Sequence, residues 1–333
     1  MGADMKILYA GSPDASRITL EKLFERQSDC GFEISGVLTN PPSAQGRHKT
    51  LIPTSTASFA MEKGIPVFTP EHLDSQARAL IEPLHCDLLV SFAYGHIFGP
   101  KFLSLFPSGG INVHPSLLPK YRGCTPVPAA ILNRDDKTAV TIQTLSLKMD
   151  EGDILRQQEI LLDKSETGEA LLNKCALIGA DLLCSLLSDI SKTGKKELPS
   201  GLPQTGEPSY TGMIKKEDGK IDWNQNALSI EAKIRAYYPE PGAWCLEKEL
   251  PLRILQANVF SQQDYFALDE DFKNVFDKAV NGTVLSYRKD KGIFIKTGDD
   301  ILCVQVLQRQ GKKAMNYKDF MNGARDFTGT VLQ

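Results

Sequence analysis

The sequence lacks the features that announce several common protein classes. Its seven cysteines (Cys30, Cys86, Cys124, Cys175, Cys184, Cys245 and Cys303) are odd in number, and none forms a CxxC pair. Such spacing fits neither a zinc site nor a disulfide framework. Cysteines in apolar runs act as small hydrophobes, and a reducing, cytoplasmic setting is expected. An excess of positive charge is also missing: 38 Lys and Arg stand against 41 Asp and Glu, a net charge of −3. Any nucleic acid must then be met through local patches and not through an overall field. The opening residues, MGADMKILYAG, have no charged start followed by a long apolar core. No uninterrupted apolar run approaches about 18 residues, so neither a signal peptide nor a membrane span is expected. There is no internal repeat.

The 333 residues are enough for about two domains. Lys6 to Ala10 (KILYA) is a short apolar run ending at Gly11. Leu20, Leu23 and Phe24 follow at helical spacing, and Phe32 to Leu38 (FEISGVL) reads as a second strand. This βαβ signature continues. Leu73, Ala77, Leu80 and Ile81 mark a helix face. Asp87–Phe92, Gly110–Val113 and Ala139–Leu147 read as strands, and Leu171 to Leu186 carries strong helical periodicity. The expectation is an α/β domain over 1–190: a Rossmann-like, mostly parallel sheet with helices on both faces. Residues 191–208, rich in Gly, Pro, Ser and Lys, read as a linker. Over 209–333 short β-type runs dominate, and a smaller C-terminal β-barrel (OB-like) domain is expected, with Ser229–Tyr237 as its one good helix. The acidic, aromatic segment 261–278 has no pattern that places it.

The stretch INVHPSLLPKYRG (Ile111 to Gly123) raises the question of chemistry. Ligands of open α/β sheets bind beyond the carboxyl ends of strands. Asn112 and His114 lie at such an end, two residues apart, and so on one face. An amide and an imidazolium both donate hydrogen bonds, which suits an oxyanion formed only in a transition state. The next expected strand runs into Lys148-Met149-Asp150-Glu151-Gly152-Asp153, which puts Asp150 at the same sheet edge. Gly152 would permit a tight path there. Taken singly, an Asn or His at a strand end is more often a capping or solvated residue. Their joint position makes the site, and spacing alone does not identify the reaction.

At these residues the sequence resembles the folate-dependent formyltransferases, whose signature is Asn-x-His-x-Ser-Leu-Leu-Pro-Lys-Tyr-Arg-Gly followed after a strand by Asp-x-Gly-Asp. Gly11-Ser12-Pro13-Asp14, the loop GRHKTLIPTSTASFAMEKGIPVFTP and Ala93-Tyr94-Gly95 also match. Past the linker, KKEDGKIDW, IRAYYPEPGAW and GKKAMNYKDF match the branch whose acceptor is charged initiator tRNA, so the resemblance spans essentially the whole chain. It implies transfer of a formyl group from 10-formyltetrahydrofolate to the α-amine of methionine on initiator tRNA. Asn112 and His114 would stabilise the oxyanion, and Asp150 would hold His114 and take up the amine's proton through water. Folate would lie along Phe92, Ala93, Tyr94, Ile97, the turn Ser116, Leu117, Leu118 and Pro119, and Gly152 and Asp153. The bland alternative for Phe92 and Tyr94 is core packing. Cys124 is expected to pack, since direct transfer needs no covalent enzyme intermediate. No metal and a monomer are expected. Ala15 stands where the family usually has an aromatic after the Asp, so a differently shaped methionine pocket is expected.

The resemblance also places tRNA contacts on Arg47, His48 and Lys49 of the insertion loop, where the family often has a denser basic cluster. Further pairs are Lys195 with Lys196 (near Lys192), Lys215 with Lys216, and Lys312 with Lys313. Solvated surface is the default reading of any one pair. A sugar-nucleotide formyltransferase shares the core motif but should lack the basic insertion and this second domain. A catalytically silent RNA-binding module is the alternative from another class, and the intact Asn112, His114 and Asp150 speak against it.

Overall fold

The structure, a computed structural model, describes residues 5–45, 49–269, 271–324 and 326–333. The chain divides into two compact units. The first comprises Met1–Pro126, Lys137–Leu161 and Leu171–Gly212, and the second comprises Val127–Asp136, Leu162–Ala170 and Met213–Gln333.

In chain order the first unit opens with β1 (Met5–Ala10), α1 (Asp14–Cys30), β2 (Phe32–Leu38), β3 (Ser43–Gln45), β4 (Thr50–Ile52), α2 (Ser55–Glu62) and β5 (Val67–Phe68). There follow α3 (Ser75–Ile81), β6 (Leu88–Ser91), α4 (Pro100–Leu103), β7 (Gly110–His114), β8 (Arg122–Gly123) and α5 (Pro126–Leu132), of which Val127–Leu132 belongs to the second unit. Then come β9 (Lys137–Thr144), β10 (Ile154–Leu161), α6 (Gly168–Lys192) and β11 (Tyr210–Thr211). Seven strands form one sheet in the order β10-β9-β7-β6-β1-β2-β5. The pairs from β7 to β5 are parallel, whereas β9 is antiparallel to β7 and to β10.

Strand alternation assigns the two faces. Leu8 packs with Ile81 and Phe102, so α3 and α4 cover one side. Tyr9 points the other way, and its hydroxyl donates to the Ser16 carbonyl of α1 at 2.8 Å. Helix α6 lies on that second side. A Cβ on its Gly179 would stand 2.7 Å from Val113 Cγ1, so glycine is what lets the helix approach β7. By length and composition α6 is apolar enough to cross a membrane, but half of that stretch is buried within the protein. Leu80, expected on the inner face of α3, is 59% exposed, because the helix buries only Ala77 and Ile81. Strand β10 is not evident from periodicity: it is an edge strand with a polar, exposed middle, Gln157 to Glu159.

The second unit contains α7 (Ala227–Ala236), β12 (Ala243–Glu247), β13 (Leu250–Phe260), α8 (Gln262–Phe266), α9 (Phe272–Lys278), β14 (Val284–Arg288), β15 (Gly292–Lys296), β16 (Ile301–Arg309), β17 (Met315–Asn316) and α10 (Tyr317–Asn322). Its antiparallel sheet runs β12-β13-β16-β15-β14, with β17 on β16. The β-rich second unit expected from the sequence is this sheet. Asn226 caps α7 by accepting from the Ser229 N–H, and Ile230 and Ile234 then face Leu252, Ile254 and Val304. The unplaced segment 261–278 forms α8 and α9, whose Tyr265 and Phe276 bury Phe294. Because Ile293 and Ile295 face the other cluster, β15 is buried on both sides and reads as a continuous apolar run.

Candidate active site

Asn112 and His114 sit at the carboxyl end of β7 on the face opposite Val113. The register of β9 sets Gln143 directly across from Asn112 and Thr141 across from His114. Four polar side chains therefore share one patch of sheet. The Thr141 hydroxyl donates to the Ser116 carbonyl at 2.8 Å, and the Ser116 hydroxyl donates to the Lys120 carbonyl at 2.6 Å. These bonds close the Pro-bounded turn over the end of β7. Asn112 is half-buried, and among the described residues its amide makes no side-chain hydrogen bond.

Asp150 reaches this patch by a route other than the one the sequence suggests. Because β9 runs antiparallel to β7, its end at Thr144 lies beside Ile111, away from the carboxyl edge of β7. The 145–153 loop doubles back, pinned by Thr144 N–H to the Asp153 carbonyl at 3.0 Å and Asp153 N–H to Thr144 Oγ1 at 2.9 Å. Gly152 is required here for close approach: a Cβ would stand 1.7 Å from the Thr144 carbonyl oxygen. The left-handed residue is Asp150 itself, at φ 53°, a conformation that aspartate tolerates better than most side chains.

Three groups orient the carboxylate. The Gly123 N–H donates to Oδ2 at 2.8 Å, the Gln143 amide donates to Oδ1 at 2.7 Å, and His114 Nδ1 faces Oδ1 at 3.6 Å. His114 is buried, and its Nε2 lies 2.9 Å from the Tyr121 carbonyl, which can only accept. Nε2 therefore carries a proton, and Nδ1 is the ring atom turned toward Asp150. Gly123, at φ 108°, fits because a Cβ would meet the Thr211 carbonyl at 2.2 Å.

Sequence reasoning missed a second layer. Gln204, inside the stretch expected to be a linker, donates from Nε2 to the carbonyls of Asp150 and Gly152, both at 2.8 Å. Its Oε1 accepts from Arg122 at 2.8 and 3.1 Å. The buried Arg122 guanidinium also pairs with Glu151 at 3.1 Å and donates to the Tyr210 hydroxyl at 3.0 Å, the pairing a buried cation requires. A signal for Gln143 was present, as a polar residue inside the apolar run AVTIQTLSL. For Gln204 no local signal exists.

The other expected residues divide. Phe92 and Tyr94 are buried in the core, Tyr94 stacking on Phe98 with centroids 5.5 Å apart. Burial pushes the Tyr94 phenol up to about 12. The exposed residues of that loop are Ala93, Gly95, His96 and Ile97, and Asn40 ties the loop down through the Tyr94 carbonyl and His96. Gly11 lies against the Phe92 carbonyl, where a Cβ would come within 2.5 Å. In the 116–119 turn Ser116 and Leu118 are buried, while Leu117 and Pro119 are half-buried; Gly152 is buried and Asp153 exposed. Cys124, expected to pack, is exposed: the 211–212 segment holds Thr125, through its N–H and hydroxyl, and the Arg122 carbonyl on either side of it.

Of the basic positions, Arg47 and His48 lie outside the described residues, and Lys49 is exposed. Lys196 is paired with Asp87 at 2.7 Å, and Lys192 lies 3.4 Å from Asp189. Lys195, Lys215 and Lys216 are exposed, and Lys312 and Lys313 sit on the exposed turn between β16 and β17. Among the described residues no group of three or more His, Cys, Asp or Glu could hold a metal ion.

Comparison with known proteins places this geometry. The formyl transferase family model matches residues 5–187, and the model of the formyl transferase C-terminal domain matches 213–325. The methionyl-tRNA formyltransferase of Treponema denticola is 45% identical over 333 residues, covering 97% of this chain and 98% of that protein. Two solved structures share the fold at low identity. HypX from Aquifex aeolicus in complex with tetrahydrofolic acid has a TM-score of 0.61 and 15% identity, over 98% of this chain and 48% of HypX. The N-formyltransferase from Helicobacter canadensis, in complex with folinic acid and dTDP-3-aminofucose, has a TM-score of 0.60 and 17% identity, over 90% of this chain and 99% of that one. The fold alone therefore does not choose an acceptor, whereas the end-to-end sequence match does, and on it the chain belongs to the methionyl-tRNA formyltransferase family.

Proposed function

We propose that this chain moves the formyl group of 10-formyltetrahydrofolate to the α-amine of methionine esterified to initiator tRNA, with Asn112, His114 and Asp150 as the catalytic residues. The observation that carries the assignment is the uncommitted Asn112 amide beside the His114–Asp150 pair, at the carboxyl end of β7. As the amine nitrogen attacks the formyl carbon, the carbonyl oxygen becomes an oxyanion. The Asn112 amide donates to it, as does His114 Nδ1–H when the ring is an imidazolium. Preorganised donors of this kind act most strongly on charge that develops in the transition state. Collapse of the tetrahedral carbon breaks its bond to N10. The amine proton passes through water to Asp150 and is handed on, again through water, to N10, so the net transfer is formyl for hydrogen.

The exposed Ala93–Ile97 loop and the half-buried Leu117 and Pro119 are the surfaces assigned to the folate. The second unit and the lysines on exposed turns are assigned to tRNA; the domain division 1–190, 191–208 and 209–333 belongs to the same reading, as do action as a monomer and a cytoplasmic setting. The deciding assay offers purified protein labelled 10-formyltetrahydrofolate with charged initiator tRNA beside charged elongator tRNA. Preferential formylation of the initiator supports the assignment. Formylation of neither, or of both equally, contradicts it.

A further inference from the structure

The catalytic carboxylate is held in an uncommon backbone conformation, and the residue that holds it belongs to the stretch expected only to connect the two halves of the chain. Asp150 sits at φ 53°, and such a conformation persists only where the surroundings over-determine it. Gln204 supplies much of that determination. Its Nε2 donates at 2.8 Å to both the Asp150 and Gly152 carbonyls, and it lies 3.3 Å from Gln143 Oε1. The orientation of this amide is not arbitrary. Arg122 can only donate, so the oxygen of Gln204 must face Arg122 and the nitrogen must face the carbonyls. Gln143 is oriented in turn, with its oxygen toward Gln204 and its nitrogen toward Asp150 Oδ1 at 2.7 Å.

We propose that Gln204 is a positioning residue for formyl transfer: it clamps the backbone of the Asp150 loop and, through Gln143, aims the carboxylate at His114. This rests on the formyl-transfer reading of the site. It also explains why Arg122 is buried and paired: a fixed cation sets the polarity of every amide down the line.

The test uses the full-length protein carrying Gln204→Glu or Gln204→Ala. The glutamate variant keeps the shape and the contact with Arg122 but sets a carboxylate oxygen against two carbonyls; the alanine variant removes the clamp without adding charge. Two readouts are taken. Amide hydrogen exchange at Gly123 reports whether Asp150 Oδ2 is still in place. Steady-state formylation reports kcat separately from KM. The clamp requires faster exchange at Gly123 in both variants, together with a loss in kcat on the order of 10- to 100-fold and unchanged KM. Unchanged exchange overturns the proposal, as does faster exchange with unchanged kcat. A rise in KM alone would mark Gln204 as a substrate contact and also overturns it. If the wild-type protein formylates nothing, the functional reading fails while the exchange measurement still decides the clamp.

Discussion

Gln143 stands directly opposite Asn112 in the antiparallel ladder, and from there its amide nitrogen reaches Asp150 Oδ1 at 2.7 Å. One residue thus ties the strand that carries Asn112 and His114 to the loop that carries Asp150. Replacing it by methionine keeps the volume and removes the donor. A hydrogen bond to a charged group contributes about 1.5–3 kcal/mol, so Gln143→Met should lower kcat roughly 10- to 100-fold. Gln143→Glu should be worse, since it sets a carboxylate beside Asp150. Single-turnover formylation with saturating substrates checks both; wild-type rates would detach Gln143 from the chemistry.

Asn112 is the donor with no other side-chain commitment among the described residues. Loss of one preorganised oxyanion donor costs about 3–4 kcal/mol. Asn112→Ala should therefore lower turnover by roughly two to three decades while leaving the melting temperature near wild type, because its amide holds no other side chain in place. An Asn112→Ala protein with intact kcat would place the oxyanion elsewhere.

The parallel core and the pairing of Asn112 with His114 on one face were legible because they write themselves locally. Each strand of the core is an apolar run, and Asn112 and His114 share a face through a two-residue period. The path to Asp150 was not legible, since strand direction leaves no mark on composition: β9 reads the same parallel or antiparallel. Strand β10 escaped because an edge strand whose middle is exposed on both faces loses its apolar signal at Gln157 to Glu159. Gln204 escaped for a different reason. A Gly- and Pro-rich stretch describes how a chain turns and carries no record of what one side chain reaches across 54 residues.

Cys124 gives a chemical test of its exposed placement. Burial pushes the Cys86 and Cys303 thiols up to about 11 and those of Cys175 and Cys184 up to about 12. At pH 8 these four are therefore protonated as well as shielded, and the thiolate is the reactive form. A small disulfide reagent should label the native protein fast at Cys124. Cys124→Ser should remove the fast phase and keep activity, whereas a bulky adduct at Cys124 should lower it, because the neighbouring Gly123 N–H holds Asp150. Loss of activity in Cys124→Ser would instead point to a thiol nucleophile.

Gly152→Ala probes the doubled-back loop. The added methyl would stand 1.7 Å from a backbone carbonyl oxygen, that of Thr144, so the loop and not a flexible side chain has to move. Overpacking of this sort costs about 1–3 kcal/mol, a fall in melting temperature of roughly 2–4 °C per kcal/mol for domains of 150–250 residues. Because Asp150 rides on the same loop, kcat should fall by more than the lost stability explains at 25 °C. Thermal unfolding and kinetics on one preparation separate the two effects. A stable, fully active variant would show that the 150–153 path is loosely held.

The lysines separate by their partners, and salt dependence can read the difference. Lys196 is engaged by Asp87 at 2.7 Å, so its charge is already balanced within the fold. Lys312 and Lys313 are exposed on the turn between β16 and β17. If that turn meets RNA phosphates, each phosphate left without its lysine should flatten the slope of log K against log salt by about 0.7 to 0.9. Lys312→Ala with Lys313→Ala should therefore reduce the slope for charged initiator tRNA by up to twice that, with kcat at saturating tRNA unchanged. Lys196→Ala should alter the slope less and lower thermal stability more, since it leaves Asp87 without its counter-charge. An unchanged slope in the double variant would make the turn ordinary solvated surface and move the RNA contact to the other exposed lysines.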